Sequence, residues 1–339
     1  MQTYRPRLAF VGLGWIGLNR LQALAASSKI EVSAVVDTNL GAIEKGLRLA
    51  PDATAVSTVD DLQSDTVDGV VIATPNALHR DQTIAALDKG LAVFCQKPLG
   101  RSAAEVNEIL TKARQRNRLV GVDLSYRYIP AMIKIRQLIE RGDLGDIFAI
   151  DLTFHNAYGP DKSWFYDRQM SGGGCVIDLG VHLIDLALWS LGFPKMSLVS
   201  TSLFGKGQPL KDLSAVEDFA VAQFSTKDSV VRMTCSWNLH AGTDAVIAVN
   251  VHGTRGGAVL RNVSGSFYDF VAQHYRGRCA ELLSDERDCN WNWAGLAALS
   301  WCEKLAHSNE FDPTIEHVAT SAELIDQIYA SVSAGGSKR

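Results

Sequence analysis

The stretch Gly12-Leu13-Gly14-Trp15-Ile16-Gly17 decides the fold. It directly follows an apolar run at residues 8–11 and opens a stretch with helical periodicity at residues 18–26. In a strand–turn–helix unit, glycines at this spacing permit a tight turn, a close approach of the backbone to a pyrophosphate, and close packing of helix on strand. The N-terminus of the helix then offers its N–H groups to the phosphate oxygens. The stretch therefore predicts a dinucleotide-binding unit; the alternative is an ordinary glycine-rich turn.

Residues 1–125 alternate short apolar runs with helix-period stretches, which is the pattern of βαβ units around a parallel sheet. The nearly continuous apolar character of the runs fits a sheet that is covered on both faces. The candidate strands are residues 8–11, 32–36, 70–73, 91–94 and 119–122. The candidate helices are residues 18–26, 40–50, 82–89 and 103–116, the last opened by a capping box of Ser102 and Glu105.

The pattern changes after about residue 122. A helix at 130–141, a strand at 147–154 and a glycine-led helix come first, and strand-like segments without long helices between them follow. These segments are residues 198–203, 219–224, 230–237, 246–251 and 258–260, and helical patterns return at 293–307 and 321–332. We therefore expect an α/β protein in which residues 1–124 form a Rossmann domain and residues 125–339 form an α/β domain with a mostly antiparallel sheet.

The composition is that of an ordinary globular protein, because 47% of the 339 residues are hydrophobic and 21% are charged. This excludes an intrinsically disordered or collagen-like chain. Lys and Arg number 33 against 37 Asp and Glu, without the clustered positive charge that a nucleic acid requires. The apolar runs are far shorter than the roughly 20 residues that span a bilayer, and the first residues lack the apolar core of a signal peptide. We expect a soluble, cytoplasmic protein with no nucleic-acid or membrane partner.

Asp37 stands at the end of the second candidate strand, 20 residues after Gly17. A carboxylate at this place accepts hydrogen bonds from the hydroxyls of an adenosine ribose. The next residues, Thr38 and Asn39, provide no cation for a 2′-phosphate, which the carboxylate would repel. The sequence therefore favours NAD over NADP as the cofactor; the alternative is a solvated aspartate at a strand end.

Two further motifs follow the carboxyl ends of candidate strands, where ligands bind in doubly wound sheets. After the third strand comes Thr74-Pro75-Asn76, which we expect to flank the cofactor. His79 is either a further cofactor contact or a histidine with a local hydrogen bond at a helix start. After the fourth strand comes Gln96-Lys97-Pro98, in which Pro98 forces a sharp exit that aims Lys97 at the cofactor. An ammonium there would stabilise a developing alkoxide; the alternative is a surface lysine in a loop.

The fourth motif is the glycine-led helix, which begins with Gly172-Gly173-Gly174. Asp178, His182 and Asp185 follow at helical spacing, so that one helix would present all three along one side. Their neighbours are mostly apolar, and a buried carboxylate beside an imidazole can orient it as a general base. The alternatives are a core histidine with its carboxylate or part of a metal site. Because no cysteine or further histidine stands at ligand spacing, we predict no bound metal.

Together these motifs resemble those of the glucose-fructose oxidoreductase, inositol dehydrogenase and rhizopine-catabolism family, abbreviated Gfo/Idh/MocA. The likeness covers most of the chain, because the motifs occur in the family order and spacing. The residues that carry it are Gly12 to Gly17, Thr74-Pro75-Asn76, His79, Lys97-Pro98 and Gly172 to Asp185.

The resemblance carries expectations about fold, chemistry and partners. It implies a Rossmann domain followed by an α/β domain with a large open sheet, whose face often forms the contact between subunits of a homodimer or homotetramer. It also implies that the substrate is a sugar, a cyclitol or a related polyol. The catalytic residues that it implies are Lys97, Asp178 and His182.

The chain departs from the family pattern at two positions. Gln96 stands where the family usually has glutamate, so a negative charge is missing beside Lys97. Ser125 stands where asparagine is common, whereas Arg127 keeps its place. From the motifs and the resemblance together, we expect the cofactor to be bound by Gly12, Gly14, Trp15, Ile16, Gly17, Asp37, Thr74, Pro75, Asn76, His79, Gln96, Lys97 and Arg127.

A cluster of polar and aromatic residues follows the candidate strand at 147–154. Aromatic planes stack on the apolar faces of sugar rings, and histidine can hydrogen-bond their hydroxyls; the alternative is a packed aromatic loop. Trp237, at the end of a later strand, is a weaker candidate of the same kind. We expect the substrate to be bound by Lys97, His155, Tyr158, Trp164, Phe165, Asp178 and His182.

These expectations define an NAD-dependent dehydrogenase acting on a secondary alcohol. His182 would take the hydroxyl proton as hydride passes to the nicotinamide, Asp178 would orient His182, and Lys97 would stabilise the oxyanion. One alternative is a non-catalytic sugar or dinucleotide sensor on the same fold, against which the retained acid–base residues argue. Another is an NAD-dependent glycoside hydrolase, which would cleave a bond without net formation of NADH.

Overall fold

The computed structural model describes residues 4–287 and 293–335, which form two compact units. Among these residues, the first unit comprises 4–125 and 294–319, and the second comprises 126–287, 293 and 320–335. The chain first passes from one unit to the other after residue 125, one residue beyond the domain boundary that the sequence predicts after residue 124. Residues 294–319 differ from the expectation, because they belong to the first unit although the sequence assigns them to the second domain.

The described residues contain helices and strands in the following order. The helices are α1 (Trp15–Ala26), α2 (Leu40–Leu49), α3 (Asn76–Asp88), α4 (Ala103–Arg116), α5 (Pro130–Glu140), α6 (Arg168–Ser171), α7 (Val181–Leu191), α8 (Leu296–His307) and α9 (His317–Gly335). The strands are β1 (Arg7–Val11), β2 (Glu31–Val36), β3 (Thr54–Val56), β4 (Gly69–Ile72), β5 (Ala92–Cys95), β6 (Val120–Val122), β7 (Ile147–Asn156), β8 (Ser197–Gly205), β9 (Gln208–Pro209), β10 (Phe219–Ser225), β11 (Val230–Ser236), β12 (Ala245–Gly253), β13 (Gly257–Asn262), β14 (Phe270–Arg276) and β15 (Cys279–Asp285). A π-helical turn, Val176–Gly180, directly precedes α7.

The first unit is built on a six-stranded parallel sheet with the order β3-β2-β1-β4-β5-β6. The order reverses between β1 and β4, as in a Rossmann fold, which confirms the predicted N-terminal domain. The sequence predicts every strand of this sheet except β3. This edge strand has only three residues, two of them exposed, and therefore lacks an apolar run.

Two helix starts in the first unit differ from the sequence prediction. Helix α3 begins at Asn76, before the predicted start at 82, because its first turn contains buried polar side chains that break the apolar periodicity. At α4, Ser102 Oγ accepts the N–H of Glu105 at 3.3 Å as predicted. The Glu105 carboxylate, however, accepts the N–H of Arg101 at 2.7 Å, so that only half of the capping box forms.

Helix α8 returns to the first unit because its apolar residues cover the parallel sheet. At Gly69 of β4, a Cβ would lie 2.8 Å from the ring of Trp301 and 2.9 Å from Leu305. The rings of Trp301 and Phe94, in β5, lie 5.6 Å apart. The small residue in β4 therefore makes room for a helix that is distant in sequence.

The second unit is built on a nine-stranded sheet with the order β15-β14-β13-β12-β7-β11-β10-β8-β9. Neighbours are antiparallel except for β7 and β11, which confirms the predicted mostly antiparallel sheet. Along β7, Ile150, Leu152 and Phe154 are buried, whereas the residues between them are half-buried. The sequence does not predict β14 and β15, because polar residues occupy many of their positions.

Helix α7 is a core helix of the second unit. All of its residues except Trp189 and Leu191 are buried, in agreement with the prediction of a largely buried helix. The helical stretch Arg168–Leu191 is long and apolar enough to cross a membrane, but 83% of its apolar window is buried within the fold. Burial of this kind is typical of the central helix of a globular domain.

Candidate active site

The glycine-rich turn joins β1 to α1 in the first unit. Gly12 has a φ of +86°, and a Cβ there would lie 2.7 Å from the carbonyl group of Ala73. A Cβ at Gly17 would lie 1.9 Å from the carbonyl oxygen of Gly12, whereas one at Gly14 would meet nothing within 4 Å. Two glycines are therefore required by packing and the third leaves the backbone open. This is the cradle that a pyrophosphate fits.

The first turn of α1 completes this cradle. Trp15 and Ile16 occupy the turn, and among the described side chains none caps it. The indole of Trp15 is 70% exposed. The first N–H groups of α1 therefore have no side-chain cap among the described residues, a geometry that suits an anion at the helix N-terminus.

Asp37 is held beside the glycine-rich turn by backbone groups. Its Oδ2 accepts the N–H of Leu13 at 2.6 Å, and its Oδ1 accepts the N–H of Asn39 at 2.8 Å. The carboxylate is thereby fixed at the end of β2, with lone pairs left for further donors. The geometry fits the recognition of a ribose that carries free hydroxyls.

His79 links the loop after β4 to the loop after β5, the two loops that are expected to flank the cofactor. Its ring is buried, with Nδ1 lying 2.7 Å from the carbonyl oxygen of Pro98 and Nε2 lying 2.8 Å from that of Thr74. Burial lowers the pKa of His79, although the two carbonyl contacts act in the opposite direction. Both ring nitrogens are committed to the protein, so His79 sets the position of the loop that carries Lys97.

Neighbouring polar groups fix the same loops. Thr74 Oγ1 donates to Gln82 Oε1 at 2.6 Å, and Asn76 is buried at the start of α3 after Pro75. The peptide bond between Lys97 and Pro98 is cis.

Gln96, directly after β5, belongs to a buried polar network of the first unit. Its side-chain amide donates to Asp123 Oδ2, which also accepts Arg20 Nε at 2.5 Å. Ser125 Oγ donates to the other oxygen of Asp123, and Arg20 Nη2 lies 3.4 Å from Ser125 Oγ. The sequence places the amide of Gln96 beside Lys97 and the cofactor, whereas the structure commits it to Asp123.

The π-helical turn Val176–Gly180 carries Asp178 in the second unit. The sequence predicts one regular helix with Asp178, His182 and Asp185 on one side. Instead, a π-helical turn inserts an extra residue before α7, a feature that often marks functional sites. Asp178 lies on the turn, and His182 and Asp185 lie on α7. The three residues therefore do not lie on one regular α-helix.

Trp237 holds the carboxylate of Asp178. Its indole Nε1 donates to Asp178 Oδ2 at 3.1 Å, and its side chain is buried. Its backbone N–H donates to the carbonyl oxygen of Asp218 at 2.7 Å. Trp237 is therefore a positioning residue for Asp178, whereas the sequence suggests it as a weak candidate for substrate contact.

Tyr126 lies against His182 and was missed by the sequence analysis. The two rings are 4.7 Å apart, and Tyr126 also contacts Phe154 at 5.5 Å and Trp293 at 5.2 Å. Burial raises the pKa of Tyr126, so its hydroxyl stays protonated at neutral pH. Tyr126 stands between Ser125 and Arg127, two positions that were compared with the family pattern. This position is the signal that could have identified it.

Arg127 and Asp185 form an ion pair within the second unit. Arg127 Nε donates to Asp185 Oδ2 at 2.7 Å, and the guanidinium lies 5.2 Å from the ring centre of Phe193. Asp185 is buried. The guanidinium of Arg127, which the sequence assigns to the cofactor, is thus paired with the carboxylate of Asp185.

The predicted aromatic substrate cluster lies in the second unit, where Phe165 contacts Trp237. Trp164 and Phe165 stack with their rings 3.8 Å apart, and Phe165 lies edge-on to Trp237 at 6.3 Å. His155 contacts Ser236 Oγ through Nδ1 at 2.7 Å, and burial lowers its pKa, which favours the neutral imidazole. Tyr158 is 52% exposed and contacts Phe267 at 6.3 Å. The cluster therefore offers both aromatic planes and a neutral hydrogen-bonding ring.

Comparison with known families agrees with this arrangement. Residues 6–124 match a family described as an oxidoreductase family with an NAD-binding Rossmann fold. Residues 132–259 match the C-terminal domain of Gfo/Idh/MocA proteins. The protein is thus an oxidoreductase with an NAD-binding Rossmann domain.

Individual relatives place it more closely. The chain is 31% identical over 276 residues to the putative UDP-kanosamine synthase oxidoreductase subunit of Amycolatopsis mediterranei (strain S699), covering 76% of each chain. It is 26% identical over 296 residues to the D-glucoside 3-dehydrogenase of Escherichia coli (strain K12), covering 82% of this chain and 81% of the relative. It belongs to the Gfo/Idh/MocA family, as the sequence motifs predict.

A solved structure shares the fold over nearly the whole chain. A levoglucosan dehydrogenase in complex with NADH superposes with a TM-score of 0.84 at 20% identity, covering 98% of both chains. At this identity the likeness shows the fold alone, and it agrees with the two sheets described above.

Proposed function

We propose that the protein oxidises a secondary alcohol of a sugar, a cyclitol or a related polyol with NAD, or reduces the corresponding ketone in the reverse direction. The observation that carries the proposal is the carboxylate of Asp178, held by Trp237 on the turn directly before His182. The relatives named above support the substrate class, because one is named for a glucoside and another for a nucleotide sugar.

In the proposed mechanism, His182 takes the proton of the substrate hydroxyl, and Asp178 stabilises the imidazolium that forms. Lys97 steadies the negative charge that develops on the substrate oxygen. NAD, held by the glycine-rich turn and Asp37, would supply the hydride acceptor for the carbon that bears this oxygen, and that carbon would become a ketone carbon. The proton on His182 then passes to solvent, so the reaction yields one ketone, one NADH and one proton.

The proposed substrate contacts follow from the aromatic cluster. The stacked pair Trp164 and Phe165 presents an apolar plane of the kind that packs on a sugar ring. His155 and Tyr158 supply groups that can hydrogen-bond the substrate hydroxyls. The neutral imidazole of His155 can donate from one ring nitrogen and accept at the other.

The proposed cofactor contacts are the glycine-rich turn with Trp15 and Ile16, Asp37 and the loop Thr74-Pro75-Asn76, with Lys97 beside the nicotinamide. His79, Gln96 and Arg127 stay in the proposed set as positioning residues, because protein groups occupy their side chains.

Asp37 is expected to make the protein prefer NAD to NADP. The Asp37→Ala variant should bind NAD about 10-fold or more weakly, because a charged hydrogen bond to the ribose is lost, and the preference over NADP should narrow. Asp37→Asn keeps an oxygen for Leu13 and separates the effect of charge from that of loop support. Titration of both cofactors, with the exposed Asp52→Ala as a matched control, checks this; NADP binding as tightly as NAD to the wild-type protein would contradict it.

We further propose a cytoplasmic protein that forms a homodimer or homotetramer through the half-buried face of its nine-stranded sheet. On that face Arg232 Nε donates a hydrogen bond to Asp151 Oδ1 at 2.6 Å. His252 Nε2 lies 3.2 Å from Oδ2 of the same carboxylate. The exposed side chains of Val199 and Leu282, on the same sheet, support its use as a contact.

The reaction is tested by following NADH absorbance with a panel of sugars, cyclitols and their glycosides. We expect NADH to form with at least one free polyol in proportion to the ketone produced. Release of an aglycone without net NADH would favour the glycoside hydrolase instead. Binding of a sugar, detected by a rise in melting temperature, without any reduction of NAD would favour the sensor.

A further inference from the structure

A single residue, Glu217, holds the chain segment that leads into the π-helical turn. Glu217 Oε1 accepts the backbone N–H of Gly174 at 3.0 Å and that of Val176 at 2.9 Å. The backbone carbonyl of Glu217 accepts the N–H of Cys175, between them, at 3.0 Å. Three successive N–H groups at the start of the π-helical turn are thus satisfied by one residue.

We call the contacts of Glu217 with the backbone of residues 174–176 the clamp. Tyr329 extends this clamp to α9, the last helix. The hydroxyl of Tyr329, on α9, donates to the same Oε1 atom at 2.9 Å. The guanidinium of Arg168 lies 4.2 Å from the ring centre of Tyr329, so one aromatic ring joins α9 to α6 and to the clamp. Glu217 and Tyr329 are both buried. Water therefore does not compete with these hydrogen bonds.

The clamp also explains two of the three glycines in the motif. A Cβ at Gly174 would lie 1.9 Å from the carbonyl oxygen of Glu217, and a Cβ at Gly173 would lie 1.9 Å from the hydroxyl of Tyr329. Any other residue at either position would displace the clamp. These glycines are therefore adapted to Glu217 and Tyr329, in addition to the turn that they form.

Asp218, the residue after Glu217, acts on Asp178 through Trp237. The carbonyl oxygen of Asp218 accepts the backbone N–H of Trp237, whose indole donates to Asp178 Oδ2. The pair Glu217 and Asp218 thus fixes both the start of the π-helical turn and the indole that holds the carboxylate on that turn. Movement of this pair would shift Asp178 relative to α7.

We propose that Glu217 is a positioning residue for proton transfer, setting Asp178 and His182 through the backbone of Gly174 and Val176, with Tyr329 as its support. The proposal rests on the proposed function, in which Asp178 and His182 move the proton. Glu217 does not touch the substrate in this scheme. Its effect is on kcat, because small displacements of a catalytic group cost far more in rate than in binding.

Three variants test the role of Glu217. Glu217→Ala should lower kcat by about 10- to 100-fold, with little change in the affinity for NAD, which the first unit binds. Glu217→Gln keeps an oxygen acceptor and should restore kcat to within about 5-fold of wild type. Tyr329→Phe should fall between them, and Tyr275→Phe, which removes a hydroxyl bonded to Gln273, serves as the matched control.

Two readouts separate positioning from loss of folding. The acidic limb of the kcat profile should move to lower pH in Glu217→Ala, since a displaced carboxylate no longer favours the protonated imidazole. Amide hydrogen exchange across residues 173–182 should rise in the same variant, and this measurement requires no substrate. If Glu217→Ala does not fold, Tyr329→Phe and Glu217→Gln carry the test with the same readouts.

Different results overturn different parts of the proposal. If the wild-type protein reduces NAD with a polyol and Glu217→Ala shows the same kcat and pH profile, the positioning role is wrong. The role is also wrong if Glu217→Gln is as impaired as Glu217→Ala and both lose NAD affinity, since general unfolding then explains the loss. If the wild-type protein reduces NAD with no compound of the panel, the proposed function fails, and the positioning role fails with it.

Discussion

Alanine at His182 or at Lys97 is expected to lower kcat by about 10² or more, the range that a single acid–base or electrostatic group supplies. NAD affinity should change much less than kcat, because most of the proposed dinucleotide contacts are made by the glycine-rich turn, Asp37 and residues 74–76. Residues of one catalytic unit are strongly non-additive, so the double variant should be little worse than the poorer single variant. Steady-state kinetics on the best substrate of the panel, together with NAD titration, measure both quantities.

Matched controls for this prediction are His307→Ala and Lys112→Ala, both on the surface of the first unit. His307 contacts only the carbonyl oxygen of Glu303 among the bonds described, and Lys112 pairs with Asp88. We expect wild-type rates from both. If His182→Ala and Lys97→Ala turn over the best substrate as fast as these controls, the catalytic assignment is wrong and the sensor becomes the better proposal.

Removal of Asp123 is expected to be the most damaging change to stability. Asp123→Ala leaves the guanidinium of Arg20 buried without the carboxylate that accepts its Nε, and breaking a buried pair from one side costs about 3–5 kcal/mol. Replacing both partners, as in Arg20→Met with Asp123→Leu, should recover much of this loss, since no uncompensated charge remains. Denaturant unfolding of the three proteins gives the comparison.

The same network predicts the effect of a glutamate at position 96. Gln96→Glu places two carboxylates against one guanidinium, so it should destabilise the protein, whereas Gln96→Glu combined with Asp123→Asn should restore stability. The pair of changes moves the charge to position 96 and lets the new amide donate back to it. A Gln96→Glu variant as stable as wild type would show that the amide of Gln96 does not donate to Asp123.

The sequence predicts those features whose signal is local. The spacing of Gly12, Gly14 and Gly17 predicts the first βαβ unit, since the turn itself needs glycines at that spacing. The parallel strands are apolar on both faces and are found with errors of only one or two residues. β3 is missed because an edge strand of three residues buries little, and β14 because His274 occupies a position on its buried, otherwise apolar face.

The sequence fails where a side chain is decided by a distant partner. Trp237 lies 59 residues from Asp178, and no local pattern announces that its indole donates to that carboxylate. The spacing of Asp185 predicts that it lies on the same side of a helix as Asp178 and His182, but its carboxylate pairs with Arg127, 58 residues away. The amide of Gln96 likewise depends on Asp123. Local motifs thus propose candidate catalytic residues, whereas the groups that contact their side chains are set by residues distant in the chain.

The return of α8 to the parallel sheet makes the nucleotide-binding half of the protein discontinuous in sequence. A fragment that ends at residue 125 would lack Trp301 and Leu305, and would expose the surface of β4 and β5 that those side chains cover. Recombination that exchanges this half between relatives therefore needs two crossover points rather than one. Cofactor preference in such a protein changes more readily by point substitution at Asp37 than by the shuffling of whole modules.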